Sequence, residues 1–377
     1  MATESGARER NFLRGIPVTV AAEGIERELS AMWKAADTSE GAEGAAVTRV
    51  CLSNLVWFGP AVAAERARRI LFAVAQRQPS RIVLVEVDGE DPADELVEAF
   101  VNAHCFVSGA DRHQVCSELI HLRVGAATVK HLSGLVAPLL LPDLMTLLWT
   151  HPAVAYYRRG LEQLLPLVDR FVTEASKAPD PAETLAEVLA MQRNAATLAW
   201  FRMGFVREQI AALFDDAELA AQLPRIESLT VQHRGMKGNP EAALRCSLLA
   251  GWIASRLGWT PERDLGDGGY LYRAGGRGIE ARIVAAGHSR DAALESVEFR
   301  CGGGVRFSVE LPSSSKRIER HISGLAHAMS PSVVALSEFA EADALEAAMA
   351  ARFGRRLFEE AARAALPWFR SMVRPGP

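Results

Sequence analysis

The chain has 377 residues and a formal net charge of −4; 49% of its residues are hydrophobic and 23% are charged. At roughly 150 residues per domain, this length predicts two or three globular domains with a sizeable core. The negative net charge and the lack of a basic block argue against proteins that bind nucleic acid or anionic lipid surfaces.

The N-terminus is polar and has no apolar run of the signal-peptide type, which predicts a cytoplasmic protein. The most apolar stretch, 132–149, is interrupted by Pro138, Pro142 and Asp143. Its two halves are shorter than the ~20 residues that cross a bilayer, so we expect no membrane partner. The five cysteines show no Cys-x-x-Cys spacing, and we expect them to be reduced, buried thiols.

Helices and strands alternate in the first half of the chain. A helix is predicted over 23–36, where Leu29 and Trp33 stand at helical spacing, and a flexible connection over 37–46. The predicted strands that follow cover 49–58, 81–87, 103–107, 115–124, 144–150 and 170–174. The predicted helices cover 60–78, 127–137, 156–165 and 181–194. This order predicts an α/β domain in which helices cover both faces of a mostly parallel sheet.

The second half has short strands separated by glycines. Predicted helices cover 206–214, 240–257, 343–352 and 355–369, and predicted strands cover 226–233, 269–273, 279–285, 294–301 and 305–311. Glycine-rich turns at 274–278 and 301–304 indicate hairpins, so we expect an α+β domain with an antiparallel sheet. The predicted domains are 1–46 (helix and flexible connection), 47–205 (α/β) and 206–377 (α+β).

Motifs for catalysis or cofactor binding do not fit this sequence. There is no P-loop and no Gly-x-Ser-x-Gly, and the start of a dinucleotide fingerprint at Gly276 and Gly278 breaks at Ala281. His and Cys residues cluster between 104 and 121 but lack the paired spacing of zinc ligands. We therefore predict no catalytic residue, no cofactor and no metal.

Aromatic residues and arginines concentrate in the segment 198–215. Trp200, Phe201, Arg202, Phe205 and Arg207 lie close together there, and Trp and Arg are enriched in the hot spots of protein interfaces. Two interpretations stay equally open: a core between domains, or a surface that binds a partner.

Several stretches, in this order, carry a family resemblance: QPSRIVLVEV (78–87), PLLLPDLMTLLWTHP (138–152), DRFVTEAS (169–176), LAWFRMGFVREQIAALFD (198–215), LLAGWIASRLGW (248–259) and RRLFEEAARAAL (355–366). Together they resemble the OpcA family of glucose-6-phosphate dehydrogenase assembly proteins, over about 47–366. The chain departs from the family pattern at Phe205, where a second tryptophan is usual, and at Thr197, where an acidic residue is usual.

The resemblance implies a non-catalytic, allosteric effector that binds glucose-6-phosphate dehydrogenase and promotes its active oligomer. It would act in the oxidative pentose phosphate pathway, in which the partner forms NADPH, and would need no cofactor of its own. We predict partner contacts by Trp200, Arg202 and Arg207, with Trp149 and Arg81 as second choices. Changing Trp200 or Arg202 to Ala should weaken activation and leave the fold intact.

An alternative function remains open at this point. The chain could be a sensor or an enzyme for a sugar phosphate or a nucleotide. Its site would then lie at the carboxyl ends of the parallel strands, near Trp149.

Overall fold

The computed structural model describes residues 11–12, 15–38, 47–89, 91–108, 113–153, 156–191, 193–289, 293–312, 317–325, 332–335, 341–351 and 354–373. The chain forms two compact units, Met1–Thr173 and Glu174–Pro377. This division lies earlier in the chain than the predicted boundary at 205/206, and the domain limits themselves stay a prediction. The predicted flexible connection, 37–46, lies outside the described residues from position 39 onward.

The described α-helices are α1 (Ile25–Thr38), α2 (Ala61–Ala75), α3 (Leu132–Val136), α4 (Tyr157–Leu164), α5 (Pro181–Ala190), α6 (Leu198–Arg202), α7 (Gly204–Ala212), α8 (Ala217–Ala220), α9 (Pro240–Arg256), α10 (Glu341–Ala350) and α11 (Gly354–Val373). Short 3-10 helices cover Ala22–Gly24, Ala126–His131, Ala137–Leu139, Leu165–Leu167, Ala175–Lys177, Leu223–Arg225 and Gly302–Gly304.

The described strands are β1 (Val18–Val20), β2 (Val47–Arg49), β3 (Asn54–Pro60), β4 (Arg81–Val87), β5 (Val97–Ser108), β6 (His113–Val124), β7 (Thr146–Thr150), β8 (Arg170–Thr173), β9 (Ala195–Thr197), β10 (Ile226–Gly235), β11 (Thr260–Gly266), β12 (Gly269–Ala274), β13 (Arg277–Ser289), β14 (Leu294–Cys301), β15 (Arg306–Glu310), β16 (Arg317–Ser323) and β17 (Ser332–Ala335).

The first unit is built on a mostly parallel sheet. Its strands follow the order β1-β5-β6-β4-β3-β7-β8, and β2 also pairs with β6. The pairs β3/β4, β3/β7, β4/β6, β7/β8 and β2/β6 are parallel, whereas β1/β5 and β5/β6 are antiparallel. Strand β4 is buried along its whole length, which explains its apolar run 82–85, and its two charged residues, Arg81 and Glu86, form ion pairs. The predicted mostly parallel α/β fold is confirmed.

One predicted strand of this unit, 49–58, is wrong as a single element. Residues 47–49 pair with β6, whereas residues 54–60 pair with β4 and β7. The chain changes its neighbours in between, so no continuous ladder of hydrogen bonds forms. Val50 donates to the carbonyl of Cys116 and Leu52 to that of Pro79, which satisfies the backbone of the crossing.

The second unit is built on a sheet with the strand order β11-β12-β13-β10-β14-β15-β16-β17. Only the pair β10/β13 is parallel in this described sheet, and the other neighbours are antiparallel. Both predicted hairpins form, with Gly275 and Gly276 between β12 and β13 and Gly303 and Gly304 between β14 and β15 at positive φ. The predicted mixed fold with an antiparallel sheet is confirmed.

Helix α9 begins and packs for identifiable reasons. The Asn239 side chain accepts hydrogen bonds from the amides of Glu241 (2.9 Å) and Ala242 (3.1 Å), and Pro240 occupies the first turn. At Gly251 an added Cβ would lie 2.2 Å from the carbonyl oxygen of Ala361, so glycine permits the close approach of α11. This helix pair covers a core that includes the fully buried Trp368.

The sequence did not predict β1, β9, β11, β16 and β17. Strand β11 is an edge strand whose residues are all exposed, so no hydrophobic alternation marks it. Among the described residues, no helix combines the length and the apolar composition that crossing a bilayer requires.

The cysteine prediction is wrong for two of the five residues. Cys105 and Cys116 stand directly opposite each other in β5 and β6 and form a disulfide. The register that brings them together is a property of strand pairing and cannot be read from their spacing. Cys51, Cys246 and Cys301 are free; Cys246 and Cys301 are buried as predicted, whereas Cys51 is only half-buried. Burial raises the pKa of Cys51 and Cys301 to about 11 and that of Cys246 to about 12, so all three are protonated near neutral pH.

Candidate functional site

The segment rich in Trp and Arg forms two short helices in the second unit. Strand β9 leads into α6, which ends at Arg202, and α7 begins at Gly204 after a change of direction at Met203. Trp200 is only 3% exposed, and its ring meets that of Phe358 edge to face at a centroid distance of 5.8 Å. Most of the Trp200 surface therefore belongs to the core.

Arg207 covers the remaining side of Trp200. Its guanidinium carbon lies 3.5 Å from the centroid of the indole ring, and its Nη1 donates to the Trp200 carbonyl oxygen at 2.6 Å. Burial lowers the pKa of Arg207 to about 10, while nearby Glu208 acts in the opposite direction. The guanidinium therefore remains a cation at neutral pH and is held in one orientation.

A cavity of about 260 Å³ lies beside this stacked pair. Its apolar wall consists of Trp200, Phe201, Phe205, Trp252, Ala347, Ala351 and Leu357, and its charged groups are Arg207 and Glu208. Leu357 is 40% exposed. We refer to this set of residues as the Trp200–Arg207 surface. This surface combines a buried aromatic residue, an ordered arginine and an exposed leucine. Such a combination is suited to burying an apolar side chain of another protein.

Arg202, which the sequence grouped with Trp200 and Arg207, takes part in a separate charge network. Its guanidinium pairs with the carboxylates of Glu241 and Glu341. Glu241 also pairs with Arg245 and lies 3.7 Å from Nζ of Lys177. Burial alone would raise the pKa of Glu241, but the positive charges of Arg245, Arg202 and Lys177 lower it below its ordinary value. Arg202 does not line the cavity, and its contacts are those of a residue that supports the fold.

Arg81 and Trp149, the second choices, belong to the first unit and are buried. Arg81 is 1% exposed; its Nε donates to Glu118 at 2.8 Å, and its Nη1 donates to the Leu139 carbonyl at 2.8 Å and also pairs with Glu26. Trp149 is fully buried and contacts Trp57. A direct partner contact by either residue stays a prediction.

Sequence reasoning missed Trp252 and Leu357, which complete the Trp200–Arg207 surface. They come from α9 and α11, and only the tertiary packing of these helices brings them to α6 and α7. Both lie in stretches of the family resemblance, 248–259 and 355–366, which was the available signal. Within the described ranges, no three His, Cys, Asp or Glu side chains form a group that could hold a metal ion.

Two protein-family models match this chain. Residues 72–190 match the model described as glucose-6-phosphate dehydrogenase subunit N-terminal domain, and residues 193–362 match the C-terminal domain of the same subunit. The chain belongs to the OpcA family. The resemblance read from the sequence is thereby confirmed.

Relatives of the OpcA family have been named in cyanobacteria. A putative OxPP cycle protein OpcA from Synechococcus elongatus is 31% identical over 202 residues, which cover 52% of this chain and 43% of that protein. A second putative OxPP cycle protein OpcA, from Nostoc punctiforme, is 29% identical over 207 residues, which cover 53% of this chain and 43% of that protein. The matched region thus spans less than half the length of these relatives.

Proposed function

We propose that this OpcA-family protein is a non-catalytic effector that binds glucose-6-phosphate dehydrogenase in the cytoplasm and promotes its active oligomer. Its role would be to raise the activity of that enzyme in the oxidative pentose phosphate pathway. The family descriptions name a subunit of this dehydrogenase, and the related cyanobacterial proteins are named for the OxPP cycle. The structural observation that carries the proposal is the ordered Arg207–Trp200 stack beside an apolar cavity.

The Trp200–Arg207 surface suits a protein partner because its side chains are fixed before binding. Arg207 is held against the indole ring and the Trp200 carbonyl, so little conformational entropy remains to be lost on association. Its guanidinium has donors beyond the one used internally, and these can bind a carboxylate or a carbonyl of the dehydrogenase. Leu357 offers exposed apolar area beside the cavity.

An effector of this kind works through a difference in affinity. It shifts the dehydrogenase toward its active oligomer only by as much as it binds that form more tightly than the inactive one. A typical coupling free energy of about 1–3 kcal/mol corresponds to a change of roughly 5- to 150-fold in the apparent affinity for substrate.

The proposal is tested with the full chain and the dehydrogenase from the same genome. The two proteins are mixed, separated by size-exclusion chromatography, and each fraction is assayed at limiting glucose 6-phosphate. We expect a larger species that contains both proteins and has a higher specific activity than the dehydrogenase alone. Separate elution with unchanged activity, or turnover of glucose 6-phosphate by this chain alone, would contradict the proposal.

A further inference from the structure

A second cavity in the unit Glu174–Pro377 is not explained by partner binding. It has a volume of about 410 Å³, within the usual range for small-molecule sites. It lies where the parallel strands β10 and β13 approach their carboxyl ends. The loop Lys237–Asn239 before α9 lines it, and so does the turn between β11 and β12.

His233 contributes an unsatisfied polar group to this cavity. The residue is only 5% exposed and lines the cavity from the core-facing side of β10. Its Nδ1 is buried and has no hydrogen-bond partner among the described residues. Burial lowers the pKa of His233, so the ring is neutral near pH 7 and offers one donor and one acceptor. An unpaired buried nitrogen is costly, which points to a ligand that satisfies it.

Three further side chains in the lining, Asp264, Asp267 and Lys237, supply hydrogen-bond acceptors and donors. Asp264 accepts a bond from the Gly266 amide at 3.0 Å through one oxygen, which leaves its second oxygen for a ligand. Lys237 lies 3.3 Å from Asp267, and both side chains are highly exposed. Exposed ion pairs of this kind are weak, so the ammonium and the carboxylate can both turn to a bound molecule.

Anionic ligands fit this cavity poorly. Two carboxylates, Asp264 and Asp267, oppose the single ammonium of Lys237 in its lining. The N-terminus of α9, which could otherwise bind an anion, is already occupied: Asn239 caps the amides of Glu241 and Ala242, and Pro240 has no amide hydrogen.

We propose that this cavity binds a neutral sugar. Sugar hydroxyls donate and accept at the same time, which matches carboxylates that accept, an ammonium that donates and an imidazole nitrogen that does one or the other according to its tautomer. Ile283, Val284 and Met372 supply apolar surface for the C–H faces of a sugar ring. The site would give this effector a direct response to a carbohydrate, independent of the Trp200–Arg207 surface.

The test is calorimetric titration of the full chain with D-glucose, D-ribose, D-glucose 6-phosphate and inorganic phosphate. We expect saturable binding of at least one of the two neutral sugars. Asp264→Asn keeps an oxygen that can accept from the Gly266 amide, so the turn should still form. The substitution should weaken sugar binding about tenfold or more because a charged acceptor is lost. His233→Phe, which keeps a ring of similar shape, should also weaken it.

A matched control exists in the first unit. Asp91 accepts a bond from the amide two residues ahead, Ala93, at 2.9 Å, in the same geometry as Asp264. Asp91→Asn should therefore leave sugar binding unchanged. The proposal is overturned if neither neutral sugar saturates, if Asp264→Asn binds like the unmodified chain, or if only the phosphate-bearing probes bind.

Discussion

The guanidinium of Arg207 stacks on the indole of Trp200 at 3.5 Å and also donates to the carbonyl of the same residue. Both contacts arise within one turn between two short helices, so the arrangement is local and does not depend on a ligand. The buried ring of Trp200 thus holds an ordered guanidinium beside an apolar cavity. The proposed binding of a partner depends on this pair of residues.

Replacing Arg207 with Lys should weaken activation of the dehydrogenase without unfolding the chain. Lysine keeps the charge but lacks the planar group that stacks on Trp200 and donates through several nitrogens. Once the guanidinium is no longer held in place, we expect the loss of about one hydrogen bond to the partner, about 1 kcal/mol, which shifts the activation curve by about 5-fold in effector concentration. The measurement is dehydrogenase activity against concentration of each variant. Arg225→Lys, an exposed position, serves as the control, and equal curves for both variants would argue against the role of Arg207.

Replacing Arg202 with Met should destabilise the fold. The structure places Arg202 between Glu241 and Glu341, so its loss removes a shared positive charge from two partly buried carboxylates. We expect a decrease of about 3 kcal/mol in the free energy of unfolding, measured by urea denaturation. Arg300→Met removes an exposed pair with Glu298 and should cost less than about 1 kcal/mol. Equal effects of the two substitutions would contradict this assignment.

We therefore no longer expect Arg202→Ala and Trp200→Ala to leave the fold intact. Both side chains are largely buried in the second unit, and a weakened activation by either variant would not separate partner contact from loss of stability. Partner binding is better tested at exposed positions.

Protonation of Glu241 should lower stability in acid. Its pKa in the folded chain is below the ordinary value of 4.5, so the stabilising effect of its charge is complete above that value and is lost as the pH falls through the lower, folded-state pKa. The free energy of unfolding should therefore decrease below about pH 4.5, and it should decrease less steeply in Glu241→Gln. Parallel pH profiles for the two chains, measured by urea denaturation, would contradict this role.

The disulfide can be tested by counting thiols. Alkylation of the denatured chain without a reductant should modify three cysteines, and alkylation after reduction should modify all five. Intact-mass spectrometry distinguishes the two results. Five modified cysteines without a reductant would show that Cys105 and Cys116 are not joined.

Much of the fold could be predicted from the sequence, in the places where the local pattern of residues decides the structure. The buried strand 81–87 was predicted with its observed bounds because its β-branched, alternating residues are typical of a strand. The hairpins at 274–278 and 301–304 followed from glycines that adopt positive φ. Strand β11 was missed because an exposed edge has no apolar alternation to reveal it.

Only part of the candidate site could be predicted from the sequence, for a related reason. Trp200 and Arg207 are seven residues apart, and a local pattern sufficed to select both. Trp252 and Leu357 join them through the packing of α9 and α11, which no local pattern encodes. The same limit applies to Arg202, whose partners Glu241 and Glu341 lie far along the chain.

The central claim is that the Trp200–Arg207 surface binds the dehydrogenase, and a pair of leucine substitutions tests it most directly. Leu357 lies in this surface and is 40% exposed, whereas Leu265 is 39% exposed on the edge strand β11 and lies outside it. We would measure dehydrogenase activity at limiting glucose 6-phosphate with Leu357→Glu or Leu265→Glu added. We expect Leu357→Glu to lose activation and Leu265→Glu to keep it; full activation by Leu357→Glu would contradict binding at this surface.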